Sequence, residues 1–177
     1  MADDINLTQL KRHLKDRSHA ELVLEIADLF RRFPNVREYY TAKIAPDGLR
    51  RSLAKAKKSI DNQFFPDRGF GKGRVSIAKK VIADFARLSP TPESMADLML
   101  FTVETGIDFT STYGDIDEEF YRGLESIYDR ALRLISEKDL EGEFFERCKA
   151  IIDGEVYVGW GFHDILQEIY GTYFHDR

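Results

Sequence analysis

The sequence predicts an all-α protein that forms one helical domain over residues 1–177. Apolar residues recur at helical spacing along almost the whole chain, and helix-start and helix-stop residues stand between the apolar stripes. A short stretch at 155–158 is the only candidate for a strand. Because the predicted connections are short, we expect about eight to nine helices in antiparallel pairs, arranged as a bundle or as a compact superhelical stack.

Four helices are expected in the first third of the chain. The first carries a short apolar stripe of Leu7, Leu10 and Leu14. A capping box of Ser18 and Glu21 begins the second helix, and Pro34 ends it. The stripe of the second helix consists of Leu22, Ile26, Leu29, Phe30 and Phe33. The third and fourth helices are predicted near 36–43 and 46–64.

The middle of the chain continues the helical pattern after a loop with three glycines at 66–73. The fifth helix is expected at about 75–88. Thr91 is predicted to cap the sixth helix, because Pro92 suits the first helical position. Gly106 is predicted to end that helix.

Three further helices are expected in the last third. Asp115 and Glu118 predict the start of the longest helix in a second box-like arrangement. Leu140 opens the apolar stripe of the next helix, which Gly154 closes. The last helix is expected after Gly161.

Composition predicts an intracellular protein. The single cysteine, Cys148, excludes an internal disulfide, and its apolar neighbours predict a buried, inert thiol in a reducing compartment. The acidic first residues lack the apolar run of a secretory signal, and no stretch approaches the ~20 apolar residues of a membrane span. We therefore expect a cytoplasmic location and no membrane partner, and no motif indicates a cofactor.

Charge is distributed unevenly along the chain. Residues 50–87 contain eleven Lys or Arg and three acidic residues, whereas residues 93–143 contain fourteen acidic and four basic residues. The basic segment could face the phosphates of a nucleic acid. The alternative is a solvated face that pairs with the acidic segment, and the net charge of −5 favours that alternative.

A candidate anion site lies where the glycine-rich loop leads into the fifth helix. Free backbone N–H groups at a helix start attract anions, and Lys72, Arg74, Ser76 and Lys79 stand around this start. The loop does not match the phosphate-binding P-loop pattern. The alternative is a turn in which Ser76 lies near a cap position.

Two other segments are candidates for metal binding or catalysis. Asp115 and Asp117 belong to an acidic cluster that could bind a hard cation, although carboxylates at a helix start are also explained by capping. His163 and Asp164 follow the single tryptophan, Trp160, and with acids from another segment they could form a metal-dependent hydrolase site. The alternative is a satisfied histidine near a helix start. The other histidines, His13, His19 and His175, are expected on the surface.

The chain resembles an uncharacterised family of bacterial all-helical proteins, a domain-of-unknown-function family. The residues that carry the resemblance span nearly the whole chain and lie at 64–66, 74–80, 84–85, 88–90, 96–100, 114–117 (GDID) and 159–164 (GWGFHD). The resemblance implies an all-helical fold and no assigned activity. Leu and Glu at helical spacing also make the N-terminal third similar to the helix pairs of HEAT-like proteins.

The expected function is a helical module that binds another protein without catalysis, because a complete helical pattern comes without a catalytic constellation. Two alternatives stay open. One is a nucleic-acid or phosphate binder that uses residues 50–87. The other is a metal-dependent hydrolase around His163.

Overall fold

The all-α prediction is confirmed. The computed structural model describes residues 4–154 and 161–174, and these residues form nine α-helices and no strand. The helices are α1 (Leu7–Lys15), α2 (His19–Arg32), α3 (Pro34–Ile44), α4 (Gly48–Phe64), α5 (Val75–Ala86), α6 (Pro92–Tyr113), α7 (Glu118–Glu137), α8 (Glu141–Asp153) and α9 (Phe162–Tyr173). The predicted strand candidate at 155–158 lies outside the described residues.

Local capping signals set several helix starts as the sequence predicts. At the start of α2, the Ser18 side chain accepts a hydrogen bond from the Glu21 amide, and the Glu21 side chain accepts one from the Ser18 amide. The Thr91 side chain accepts a hydrogen bond from the Ser94 amide, and Pro92 occupies the first turn of α6. A capping box that the sequence analysis missed, Asn6 with Gln9, begins α1 in the same way.

The predicted end of α6 at Gly106 is wrong. The helix continues to Tyr113, and Gly106 lies buried inside it. An ideal Cβ at this position would stand 2.6 Å from Leu124 Cδ1 on α7. The glycine therefore allows α6 and α7 to approach closely instead of ending the helix.

The predicted start of α7 is displaced by two residues. Asp117, not Asp115, is the N-cap, and its side chain accepts a hydrogen bond from the Phe120 amide at 2.9 Å. Asp115 instead accepts a hydrogen bond from the Tyr121 hydroxyl at 2.6 Å. Both carboxylates are thus used in fixing this end of the helix.

The main core lies among α4 to α9. The central helix α6 packs against α4, α5 and α7, and α7 also packs against α5, α8 and α9. Aromatic side chains fill much of the interior, with Phe64, Tyr121, Tyr128 and Phe162 almost fully enclosed. Cys148 is buried as predicted, and burial raises the pKa of its thiol to about 12.

The first three helices stand apart from this core. Helix α2 packs on α3, and α3 packs on α4. No residue of α1 or α2 is buried, and Ala42 is the one buried residue of α3. The N-terminal part of the chain therefore attaches to the core through α3.

Candidate functional site

The apolar stripes of α1 and α2 leave apolar surface partly exposed in the described structure. We call this surface the N-terminal apolar face; it consists of Leu7, Leu10, Leu14, Leu22, Val23, Ile26, Leu29, Phe30 and Phe33. Leu7 is 65% exposed, Val23 51% and Phe33 47%. Burying apolar surface is the main source of folding free energy, so stripes left this open contribute little to the stability of the chain by itself.

The helices that carry this face are nevertheless fixed at their ends. At α1, Asn6 Oδ1 accepts hydrogen bonds from the Thr8 and Gln9 amides, both at 3.0 Å. At α2, the Ser18 amide donates to Glu21 at 2.8 Å. Capping boxes of this kind satisfy backbone groups that a helix start otherwise leaves to water. The sequence thus specifies two capped helices whose apolar sides are only partly covered: the Phe30 ring packs edge-on against Tyr40 of α3, with 6.5 Å between the ring centroids, while the rest of the stripe stays largely half-exposed.

The predicted anion-site residues come together in one cleft. This basic cleft has a volume of about 410 Å³, and Lys72, Arg74, Ser76 and Lys79 all line it. The amides of Lys72 and Gly73 donate to the Gln63 carbonyl at 3.0 and 3.2 Å, which holds the loop against the end of α4. The glycine-rich loop is therefore tethered at its second half.

Helix α7 contributes a further cation to the basic cleft, Arg122, that the sequence analysis did not identify. Lys72, Arg74 and Lys79 form no salt bridge with any residue in 4–154 or 161–174. Arg122 pairs with Glu118 at 2.5 Å. Asp117 and Glu119 also line the cleft, so its charge is mixed but predominantly positive.

The rest of the basic segment does not join this cleft. Lys57 forms a salt bridge with Asp97 at 2.7 Å. Arg51 and Lys55 line a separate cleft beside α3, where Lys55 pairs with Glu38 at 2.9 Å. The basic residues therefore lie in several separate places. Among them, Lys57 forms a salt bridge with the acidic segment 93–143, through Asp97.

An ion-pair network that the sequence did not predict joins three helices of the core, α4, α6 and α8. Arg147 on α8 binds Glu104 through Nε and Nη2 at 2.6 and 2.7 Å, and it binds Asp97 through Nη1 at 2.6 Å. Burial alone would raise the pKa of Asp97, but hydrogen bonds from Lys57 and Arg147 together hold that pKa below its usual value. Every charge in this network has a partner, which is typical of a structural element.

Two carboxylates of the acidic cluster, Asp115 and Asp117, accept hydrogen bonds that stabilise the start of α7. Burial, and then the hydrogen bond to Asp115, raises the pKa of the Tyr121 hydroxyl to about 12. Tyr121 also packs on Phe162 of α9, with 5.0 Å between the ring centroids. The predicted alternative, in which these carboxylates cap a helix, is confirmed for Asp117.

His163 is half-buried in the first turn of α9, and its Nε2 lies 3.0 Å from Gln167 Nε2. Asp164 is exposed in the same turn. Across the described part of the chain, no group of three or more His, Cys, Asp or Glu residues is placed to hold a metal ion. The hydrolase hypothesis stays a prediction without support from these contacts. Trp160 and His175 lie outside the described residues.

These features define an all-α protein with a partly exposed apolar helical face. The chain belongs to a family of unknown function, DUF6155, whose model matches residues 5–174. The expected membership of a domain-of-unknown-function family is thereby confirmed. No curated protein and no solved structure matches the chain. None of the helices in the described ranges has both the length and the apolar character of a membrane span.

Proposed function

We propose that this protein is a helical protein-interaction module whose docking surface is the N-terminal apolar face. One observation carries the proposal: α1 and α2 bury no residue, although their stripes are apolar. Monomeric proteins rarely expose large apolar patches, and such patches mark interaction sites. A cytoplasmic location remains part of the proposal.

The energetics of short helices support this assignment. A helix as short as α1, with nine residues, is marginal in water without tertiary packing. Caps alone contribute about 1 kcal/mol each, which does not replace the missing burial. A partner helix or groove that covers the N-terminal apolar face would supply the missing burial. Amphipathic helices dock into grooves in this way, through residues spaced by three and four.

The ordered caps also favour binding. Because α2 is capped and packs on α3, a partner would meet a formed helix there, and less conformational entropy would be lost on association. The expected interface is apolar at its centre, with the charged residues of the helices at its rim.

A photoreactive amino acid placed at Val23 in the living source cell tests the proposal. Val23 belongs to the N-terminal apolar face and is half-exposed, so a crosslinked species heavier than the monomer is expected after irradiation. The matched control carries the same amino acid at Arg31, which is exposed on the other side of α2. Absence of any face-specific crosslink, with the protein folded, would contradict the proposal.

The basic cleft supports a second candidate function, the binding of a phosphate group. The supporting observation is that three cations without described salt bridges, Lys72, Arg74 and Lys79, line one cleft at the start of α5. No side chain caps this helix, so its first amides can donate to an anion. Asp117 and Glu119 in the same cleft would oppose a highly charged ligand.

Titration with inorganic phosphate, followed by the amide NMR signals of α5, tests this second function. Lys79→Ala should weaken binding by about ten- to a hundredfold, since a charge-assisted hydrogen bond contributes about 1.5–3 kcal/mol. Lys80→Ala is the control, because Lys80 is the next residue of α5 and is absent from the cleft wall. Equal effects of the two variants, or no shifts at low salt, would rule out a specific phosphate site.

A further inference from the structure

We propose that the partner covering the N-terminal apolar face is a second copy of this chain, with α2 packed antiparallel against α2 of that copy. This inference rests on the proposed function and names its partner. It follows from the spacing of apolar residues along α2 and from the charges beside them.

The spacing along α2 is that of a two-helix seam. Leu22, Ile26, Leu29 and Phe33 succeed one another at intervals of four, three and four residues. This is the heptad spacing at which one helix packs its side chains between those of another. Under an antiparallel twofold arrangement, Leu22 meets Phe33 of the second copy and Ile26 meets Leu29.

In this arrangement each edge of the seam meets the same edge of the second copy, and the residues that meet are complementary. On one edge, Val23 would face Phe30 of the second copy. The Phe30 ring also packs edge-on against Tyr40 of α3 in its own chain, and the 37% of Phe30 that stays exposed is what this edge of the seam would use. On the other edge, Glu25 would face Arg32, and the twofold axis would form this ion pair twice. Contact between the same surface patch on both copies is the usual geometry of a closed dimer.

The charged residues are available for this exchange. Glu25 is exposed and has no salt bridge within residues 4–154 or 161–174. Arg32 pairs with Asp28 at 2.9 Å, but the two side chains are 69% and 46% exposed. An exposed pair of this type contributes little to stability, so Arg32 can turn to a carboxylate of the second copy at small cost.

Sedimentation of the purified full chain over about a hundredfold range of concentration tests the inference. The unmodified protein should dimerise, and Ile26→Asp should be monomeric, because it places a charge in the seam. Leu24→Asp is the matched control: Leu24 is 67% exposed and lies on the opposite side of α2. Circular dichroism establishes that each variant remains helical.

Charge reversal tests the antiparallel pairing itself. Glu25→Arg or Arg32→Glu alone should weaken the dimer by about tenfold, because two ion pairs become two repulsions. The double reversal, Glu25→Arg with Arg32→Glu, should restore the affinity. If the double reversal stays as weak as the single ones, the antiparallel seam is overturned.

Crosslinking from Val23 separates this inference from the proposed function. A species of twice the monomer mass, lost in Ile26→Asp, supports the second copy. A monomeric purified protein with a face-specific crosslink of another mass overturns the inference and leaves the proposed function standing. A monomeric protein with no crosslink overturns both.

Discussion

Two glycines set how closely helix α7 approaches its neighbours. A glycine inside a helix weakens it by about 1 kcal/mol relative to alanine. Gly106 lies inside α6 in spite of this cost, at a place where an added Cβ would stand 2.6 Å from Leu124 Cδ1. Gly123 lies on α7, where an added Cβ would stand 2.7 Å from Val75 Cγ1 on α5. The lost helix propensity is offset by closer packing of buried side chains.

Replacing Gly106 with leucine should destabilise the protein by about 1–3 kcal/mol, because the larger side chain overpacks the contact between α6 and α7. The measurement is the free energy of unfolding in urea. Gly171→Leu is the control: Gly171 is also helical, but an added Cβ would meet nothing within 4 Å. That substitution should be neutral or stabilising by up to about 1 kcal/mol. A similar loss in both variants would mean that close packing at Gly106 is not the cause.

The role of Gly106 was not predictable from its own position. A glycine after an apolar stripe is a typical helix end, and Gly114 does end α6, with a positive φ of 91°. What distinguishes the two glycines is Leu124, which lies on another helix. The continued helical spacing through Phe109 and Thr110, both buried, was the local signal that could have favoured a longer helix.

At the scale of the element, helix existence was predictable and helix partners were not. Short-range signals such as the Ser18 box and the Thr91–Pro92 start act within one turn, and the structure confirms them. The apolar stripe of α2 predicted a helix whose apolar side packs on the rest of the chain. The same spacing also suits packing on a separate molecule, and the sequence does not distinguish the two. The half-exposed N-terminal apolar face is therefore visible in the structure and not in the sequence.

The basic cleft illustrates the same division. Lys72, Arg74, Ser76 and Lys79 could be grouped from the sequence, since they lie within one loop and two helical turns. Arg122 could not, because only the packing of α7 against α5 brings it to the cleft. A side chain contributed by a distant element leaves no spacing signal of its own.

At the scale of the whole molecule, one ion-pair network ties α4, α6 and α8 together. Lys57, Asp97, Glu104 and Arg147 come from segments up to 90 residues apart in the chain, and their side chains are 25–34% exposed. Removing one member of a partly buried ion pair costs more stability than removing one member of an exposed pair, because the remaining charges are left uncompensated. The network therefore makes the stability of the assembled core depend on charge.

This dependence predicts a loss of stability in acid that Asp97→Asn should reduce. The pKa of Asp97 is lower in the folded protein than in the unfolded chain, so the unfolded chain binds more protons as the pH falls below about 4. The stabilisation is fully present above the unfolded-state pKa and disappears as the pH falls through the folded-state pKa. Asp97→Asn should cost about 1.5–3 kcal/mol at neutral pH.

Urea unfolding between neutral pH and acid measures the difference. The unmodified protein should lose more stability than Asp97→Asn over this interval, and the two curves should converge at the acid end. Asp108→Asn is the control, since Asp108 is exposed on the same helix and forms no salt bridge with the described residues. If Asp97→Asn keeps the full acid dependence, other carboxylates carry it and the network around Arg147 contributes only packing.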